Sequence, residues 1–280
     1  MAAFSIRNKQ VMTLTKENSW ASIGLCQFYH SRLVVLPGQN QCLVIGGSQD
    51  IEGNKPTDKV FGFSKDATTE KKPMSVMRSK VGLCAAEMRS EQSAFYQKSF
   101  ILVFGGIGKD KKPLKSVEQF NVKANVWRTL ADMNISRSCP SGAVLGDYLY
   151  VFGGAELETS IERFNIKSSM TKVVEKFETL EIKLPIGASE IGIVPLPSFS
   201  ELMLVGGFGG QPTDTKRSLN QRLRFVTVAD GSQGNSDFMI EDLSQTQCEE
   251  STSKSEMKPD FFQACQMIMR DGSKTLIFGA

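Results

Sequence analysis

A single histidine, His30, stands among 280 residues, and one imidazole cannot build a multi-histidine metal centre. It is also the sole candidate base for a Ser-His or Cys-His pair, and "CQFYHSRLVV" (26–35) offers it no carboxylate nearby in sequence. The six cysteines never come closer than 16 positions. That excludes a CxxC zinc or redox motif and leaves buried, reduced thiols as the expectation. No apolar run reaches 18 residues, so no membrane helix is expected. "MAAFSIRNKQ" lacks the apolar stretch of a secretory signal. "GGFGGQPT" (206–213) ends in Gln and Pro where a phosphate-binding loop needs Lys and Ser or Thr. A net charge of +3 does not by itself imply nucleic acid. These absences give a cytoplasmic protein without cofactor or metal, monomeric by itself, as the expectation.

What the chain does have is glycine in pairs. Apolar runs ending in small doublets recur as "CLVIGG" (42–47), "ILVFGG" (101–106), "YLYVFGG" (148–154), "LMLVGG" (202–207) and "LIFGA" (276–280). The doublets are Gly46–Gly47, Gly105–Gly106, Gly153–Gly154, Gly206–Gly207 and Gly279–Ala280, separated by 59, 48, 53 and 73 residues. Periods near 50 with short strands point to propeller blades. A glycine pair at a strand end permits positive φ and close backbone approach. The third unit reads most plainly. "GAVL" (142–145), the turn Gly146-Asp147 and "YLYVF" (148–152) form a hairpin, followed by "SIERFNI" (160–166) and an expected fourth strand at 170–177.

Residues 101–154 resemble the kelch repeat, whose unit has a glycine doublet after the second strand, an aromatic in the third, Trp in the fourth and Arg in the following loop. The matching residues are Gly105, Gly106, Phe120, Trp127, Met133, Arg137, Gly153 and Gly154. The first and third units lack the Trp, and the fourth keeps little beyond its doublet and "RLRFVTV" (222–228). The resemblance implies an all-β, kelch-like β-propeller of four-stranded antiparallel blades. It also implies Trp127 packed between blades and His30 in the core or lining the channel. The iron-binding members carry an E-x-x-x-D-x-x-x-H ligand set, which is missing here, and the copper oxidases of this fold need more His and Tyr than the chain contains.

The start "AAFSIRNKQVMTL" (2–14) aligns with 118–130 and 162–174, as a third and fourth strand, while 262–280 supplies a first and second. One domain over 1–280 is therefore expected, with five blades. Four lie at about 30–77, 92–131, 141–177 and 191–243, and the fifth is closed by pairing 1–15 with 261–280. The alternative is a fragment of a six-bladed ring. Residues 244–260, rich in Ser, Thr and Glu, are read as a polar insert.

Loops joining second to third strands share a face with the loops between blades, and binding residues concentrate on such loops. That face holds a basic set, Arg78, Lys109, Lys112, Arg137, Lys216 and Arg217. Its expected partner is a protein, through an acidic segment gripped by bidentate arginines. A structural hydrogen bond to the neighbouring blade is the rival role for Arg137. The competing functional class is a small-molecule enzyme such as a sugar-acid mutarotase working in the central funnel. It would need Arg and carboxylates converging on inner strands, and those strands carry one charge, Arg32.

Overall fold

The computed structural model describes residues 2–5, 10–14, 20–35, 41–90, 93–156, 158–167, 175–196, 201–205, 207–209, 222–228, 237–242, 266–270 and 273–277. Every regular element among them is a strand. Ala2–Ser5 (β1), Gln10–Leu14 (β2) and Trp20–Leu25 (β3) form one sheet. Four-stranded antiparallel sheets follow. The first comprises Arg32–Val35 (β4), Gln41–Ile45 (β5), Val60–Ser64 (β6) and Thr68–Glu70 (β7). The second comprises Gly82–Ser90 (β8), Ser93–Phe104 (β9), Val117–Asn121 (β10) and Val126–Thr129 (β11). The third comprises Ser141–Leu145 (β12), Tyr148–Phe152 (β13), Ser160–Asn165 (β14) and Glu178–Lys183 (β15).

Beyond the two-residue strand Ala188–Ser189 (β16), the fourth four-stranded sheet uses Gly192–Leu196 (β17) and Glu201–Val205 (β18). After Phe208–Gly209 (β19), which pairs with β16, it continues with Arg222–Val228 (β20) and Asp237–Asp242 (β21). A last hairpin joins Gln266–Arg270 (β22) to Ser273–Ile277 (β23). Each sheet runs first, second, third, fourth strand in chain order, and the first strands β4, β8, β12, β17 and β22 stand beside one another in turn. These are propeller blades.

The second strand of each blade is apolar on both sides because it is covered twice. Leu43 and Ile45 pack with Ile101, Val103 and Phe120 of the next blade. Leu102 and Phe104, on the other side of β9, pack with Leu149, Val151 and Phe164. Tyr150 and Phe152 then meet Leu202, Leu204 and Phe225. Alternate side chains of one strand thus serve two interfaces, each fully buried one contributing about 1.5–3 kcal/mol.

Trp127 closes such an interface. Its ring stacks on Phe120 at 4.7 Å and its Nε1–H donates to the Lys72 carbonyl of the preceding blade at 2.7 Å. Trp127→Ala should cost about 3–5 kcal/mol, read by denaturant unfolding; a loss below 1 kcal/mol would show that the ring does not hold the blades.

Several strands depart from the sequence reading. In the third blade the fourth strand is Glu178–Lys183, beyond the expected 170–177. The second blade opens at Gly82, not near 92, and the expected first strand "SAFY" begins β9 instead. The N-terminal sheet has a third strand, Trp20–Leu25, in place of the expected inter-blade loop. The ladder expected between the chain ends is not made by the described residues. Ala2–Ser5 pairs with Gln10–Leu14 and β1 lies beside β4, while Ser273–Ile277 pairs with Gln266–Arg270. Gly206, Gly279, Lys216, Arg217 and the insert 244–260 lie outside the described residues.

Candidate functional site: the glycine-doublet face

Three doublets build one local structure. The first glycines, Gly46, Gly105 and Gly153, have φ of 63°, 60° and 58°. A Cβ on them would meet the carbonyl oxygens of Arg78, Arg137 and Ala188 at 2.6, 2.5 and 2.0 Å. The second glycines, Gly47, Gly106 and Gly154, donate their N–H to those same carbonyls at 3.0, 2.8 and 2.9 Å. The doublet is therefore where one blade's second strand touches the segment leading to the next blade, and a side chain would occupy the space of that hydrogen bond.

The side chains of Arg78 and Arg137 turn the other way, into the following blade. Arg78 donates to the Gly105 carbonyl (3.0 Å), the Ser116 carbonyl (2.9 Å) and hydroxyl (3.0 Å), and Glu118 (2.8 Å). Arg137 repeats this with the Gly153 and Ser160 carbonyls (2.6 and 3.1 Å), the Ser160 hydroxyl (2.6 Å) and Glu162 (2.9 Å). The carboxylates in turn accept backbone N–H groups, Ser75 and Val76 on Glu118, Asn134 and Ile135 on Glu162. Both arginines are sealed, at 0% and 1% exposure. This corrects their assignment as partner-binding residues, because neither guanidinium reaches the surface. Burial pulls the Arg78 pKa down, and the Glu118 charge works against that shift.

The register places two further junctions in equivalent positions. Glu118 and Glu162 sit opposite Val103 and Val151, and the corresponding residues are Phe61, opposite Val44, and Leu223, opposite Leu204. At the first junction Phe28 stands in the place of the arginine and stacks on Phe61 at 6.2 Å. There the Ser31 hydroxyl donates to the Gly46 carbonyl (2.8 Å), a role the arginines fill elsewhere. At the last, Ala188 stands two residues before Glu190, as Arg78 and Arg137 stand two residues before Lys80 and Cys139. Two junctions are ionic and a third is aromatic, and in each of these both partners change together. The repeated "VEQF" and "IERF" carried this signal in sequence; the glutamates become visible as partners only when the loop arginines are placed beside them.

On the surface of the same face, inter-blade segments and second-to-third-strand loops are stitched by bridges Tyr29–Ser48, Thr57–Arg78, Ser79–Ile107 and Leu114–Arg137. The loop after Gly106 is a tight turn, with Gly108 N–H donating to the Lys112 carbonyl and Lys111 N–H to the Gly108 carbonyl, both at 3.0 Å. Lys109, Lys111, Lys112 and Lys115 project from it, all exposed. Ile51, at the tip of the neighbouring loop, is 61% exposed. His30 fixes that tip by donating from Nε2 to the Ile51 carbonyl at 2.5 Å, a scaffold role.

Four residues immediately ahead of the inner strands share a left-handed backbone: His30, Lys80, Cys139 and Glu190, with φ of 53°, 53°, 52° and 56°. Their main chains are linked in series, Lys80 N–H to the His30 carbonyl (3.4 Å), Cys139 to Lys80 (2.8 Å) and Glu190 to Cys139 (3.1 Å). None is glycine, so no sequence signal marks this rim. Cys26, Cys42, Cys84 and Cys139 are free thiols. Burial pushes Cys139 up to about 12, so at neutral pH it is a thiol, hydrogen-bonded to Glu190. Among the described residues, no three His, Cys, Asp or Glu side chains are grouped to hold a metal, and no helix is long and apolar enough to cross a membrane.

Residues 99–134, from β9 through Trp127 to the segment before Arg137, match the family model of the kelch motif. The chain is similar to human Kelch-like protein 38, at 37% identity over 60 residues, covering 21% of this chain and 10% of that protein. It is also similar to the rat and mouse proteins of that name, at 30% and 28% identity over 138 residues. Each of these matches covers 48% of this chain and 22% of the relative, so the chain spans less than a quarter of the relatives' length. The doublets, the Phe120–Trp127 stack and the four-stranded blades carry the same pattern through the fold, and the chain carries a kelch motif within a fold of kelch-like propeller blades.

Proposed function

We propose that this chain is a protein-interaction module that docks an acidic segment of a partner across the glycine-doublet face. The observation that supports this most is the division of labour among its cations. The arginines are consumed inside the blade junctions, whereas Lys109 and Lys112, with Lys111 and Lys115 beside them, stand exposed on a turn braced by its own backbone. A rigid scaffold presenting exposed like charges steers an oppositely charged partner and fixes its register. Lys216 and Arg217 belong to the same basic set by sequence position. The apolar Ile51 on the adjoining loop supplies contact area that charge alone does not.

No catalysis is assigned. The mutarotase reading requires several Arg and carboxylate groups converging in the funnel. Among the described residues one such pair is present, Arg32 with Glu190, and the two neutralise each other. Turnover of a sugar acid by the purified chain would replace the interaction reading.

Native cell extract passed over the immobilised chain tests the proposal. A Lys109→Ala/Lys112→Ala variant should lose the bound protein. Lys123→Ala, on the exposed β10–β11 turn away from this face, should retain it. Both variants should unfold within about 0.5 kcal/mol of the parent, as surface changes do. Equal recovery by all three baits would refute this docking face.

A further inference from the structure

Among the described residues, three arginine–glutamate pairs lie at the inter-blade level, and one differs in kind. Arg78–Glu118 and Arg137–Glu162 are sealed at 0% side-chain exposure, at 2.8 and 2.9 Å. Arg32–Glu190 is looser, 3.7 Å apart, with 15% and 17% of the side chains exposed. At that separation it is an ion contact without a hydrogen bond. Its ends also lie on non-adjacent blades. Arg32 begins β4 and Glu190 precedes β17, with the inner strands β8 and β12 between them. The pair therefore reaches across the mouth of the channel, whereas the sealed pairs each join neighbours.

Arg32 is held in place independently of Glu190, by donating from Nε to the Val81 carbonyl at 3.1 Å. Lys80 lies on the same rim beside His30, and the charges of Lys80, Arg32 and Glu190 all act on the Cys139 thiol. Arg32 thus faces Glu190 at a partly open position, with Lys80 on the same rim, its ammonium end beside Gly53. The left-handed backbone shared by His30, Lys80, Cys139 and Glu190 is uncommon for non-glycine residues and is repeated four times.

We propose that Arg32 and Lys80 form a carboxylate-binding site at the channel mouth, filled in the free protein by Glu190 and taken over by a carboxylate of the acidic partner. This rests on docking of that partner to the same face. Glu190 is then a built-in competitor that sets affinity, and its removal strengthens binding.

The test uses the full chain and a fluorescein-labelled hexaglutamate peptide, read by anisotropy, with thermal melting recorded for every variant. If Glu190 holds the site in most free molecules, Glu190→Gln should tighten peptide binding about 5–10-fold, the competent fraction being raised by that factor. Adding Arg32→Gln should cancel the gain. Unchanged or weaker binding by Glu190→Gln with unaltered melting overturns the site, as does a gain that survives Arg32→Gln, or no measurable binding by any variant. Lys109→Ala/Lys112→Ala separates the two proposals. If it leaves peptide binding unaltered while Glu190→Gln still tightens it, loop docking fails and the mouth site stands. Competition by glutarate against the peptide would assign the site to a free dicarboxylate, and its absence to a peptide carboxylate.

Discussion

Arg137→Met is expected to destabilise the protein by about 3–5 kcal/mol, the usual cost of leaving a buried partner charge alone. The substitution removes five donated hydrogen bonds and leaves Glu162 inside the junction with two backbone N–H groups as its remaining partners. The Gly153 carbonyl loses its Arg137 donor at the same time, and a buried unsatisfied acceptor adds about 1–3 kcal/mol, whereas the Ser160 carbonyl keeps the Gly153 N–H at 3.3 Å. Arg137→Lys should recover little, because one ammonium cannot reach Glu162, Ser160 and Gly153 together as a planar fork does. Arg78→Met should cost less. Its Nε has no partner to lose, whereas the Nε of Arg137 donates to Glu162 at 3.2 Å. Urea unfolding of the four proteins gives the ranking, and equal midpoints for parent and Arg137→Met would contradict it.

The second large effect is at Gly153. Its φ of 58° already disfavours a side chain, and a Cβ there would sit 2.0 Å from the Ala188 carbonyl oxygen. Left-handed backbone alone costs a non-glycine residue about 1–2 kcal/mol. The clash is with backbone, which no rotamer change relieves, so the Gly154 N–H bond to Ala188 must open as well. Gly153→Ala should therefore lose at least about 3 kcal/mol. Gly146 is the internal control. It has φ of 60° in the β12–β13 turn but nothing within 4 Å of the place a methyl would take, so Gly146→Ala should cost only the conformational 1–2 kcal/mol or so. Equal losses at the two sites would mean that close approach at the doublet contributes nothing.

The parts of this fold legible in sequence are those with a short-range cause. The doublets announce themselves because positive φ selects glycine. The β12–β13 hairpin does so because Gly146-Asp147 makes a two-residue turn between apolar runs, and Leu145 indeed pairs with Tyr148. Where apolar content misled, the reason is packing from outside the segment. Glu178–Lys183 alternates, with Leu180 and Ile182 turned to the core of the next interface, yet it is charged enough to pass for a loop. Gly82–Ser90 contains "AAEM", a run without β-branched residues that holds as a strand through nine pairings with β9. At the candidate site, sequence position singled out Arg78 and Arg137 but not the direction of their side chains. A guanidinium on a loop reads as a surface group until the glutamate it seals against is known. The rim was illegible for a related reason: His30, Lys80, Cys139 and Glu190 share a backbone conformation imposed by the junction, and nothing in their identities encodes it.

The loop arginines Arg78 and Arg137 are mortar between blades, each sealed against a glutamate. A double-mutant cycle on Arg137→Met and Glu162→Met, followed by urea unfolding, measures this. Strong coupling is predicted: the double variant should lose less than the two single losses summed, by about 2 kcal/mol or more, within the range for contacting charged groups. Apolar partners already occupy this position at the Phe28–Phe61 junction. Losses that simply add would show that Arg137 and Glu162 act independently, and would contradict the account.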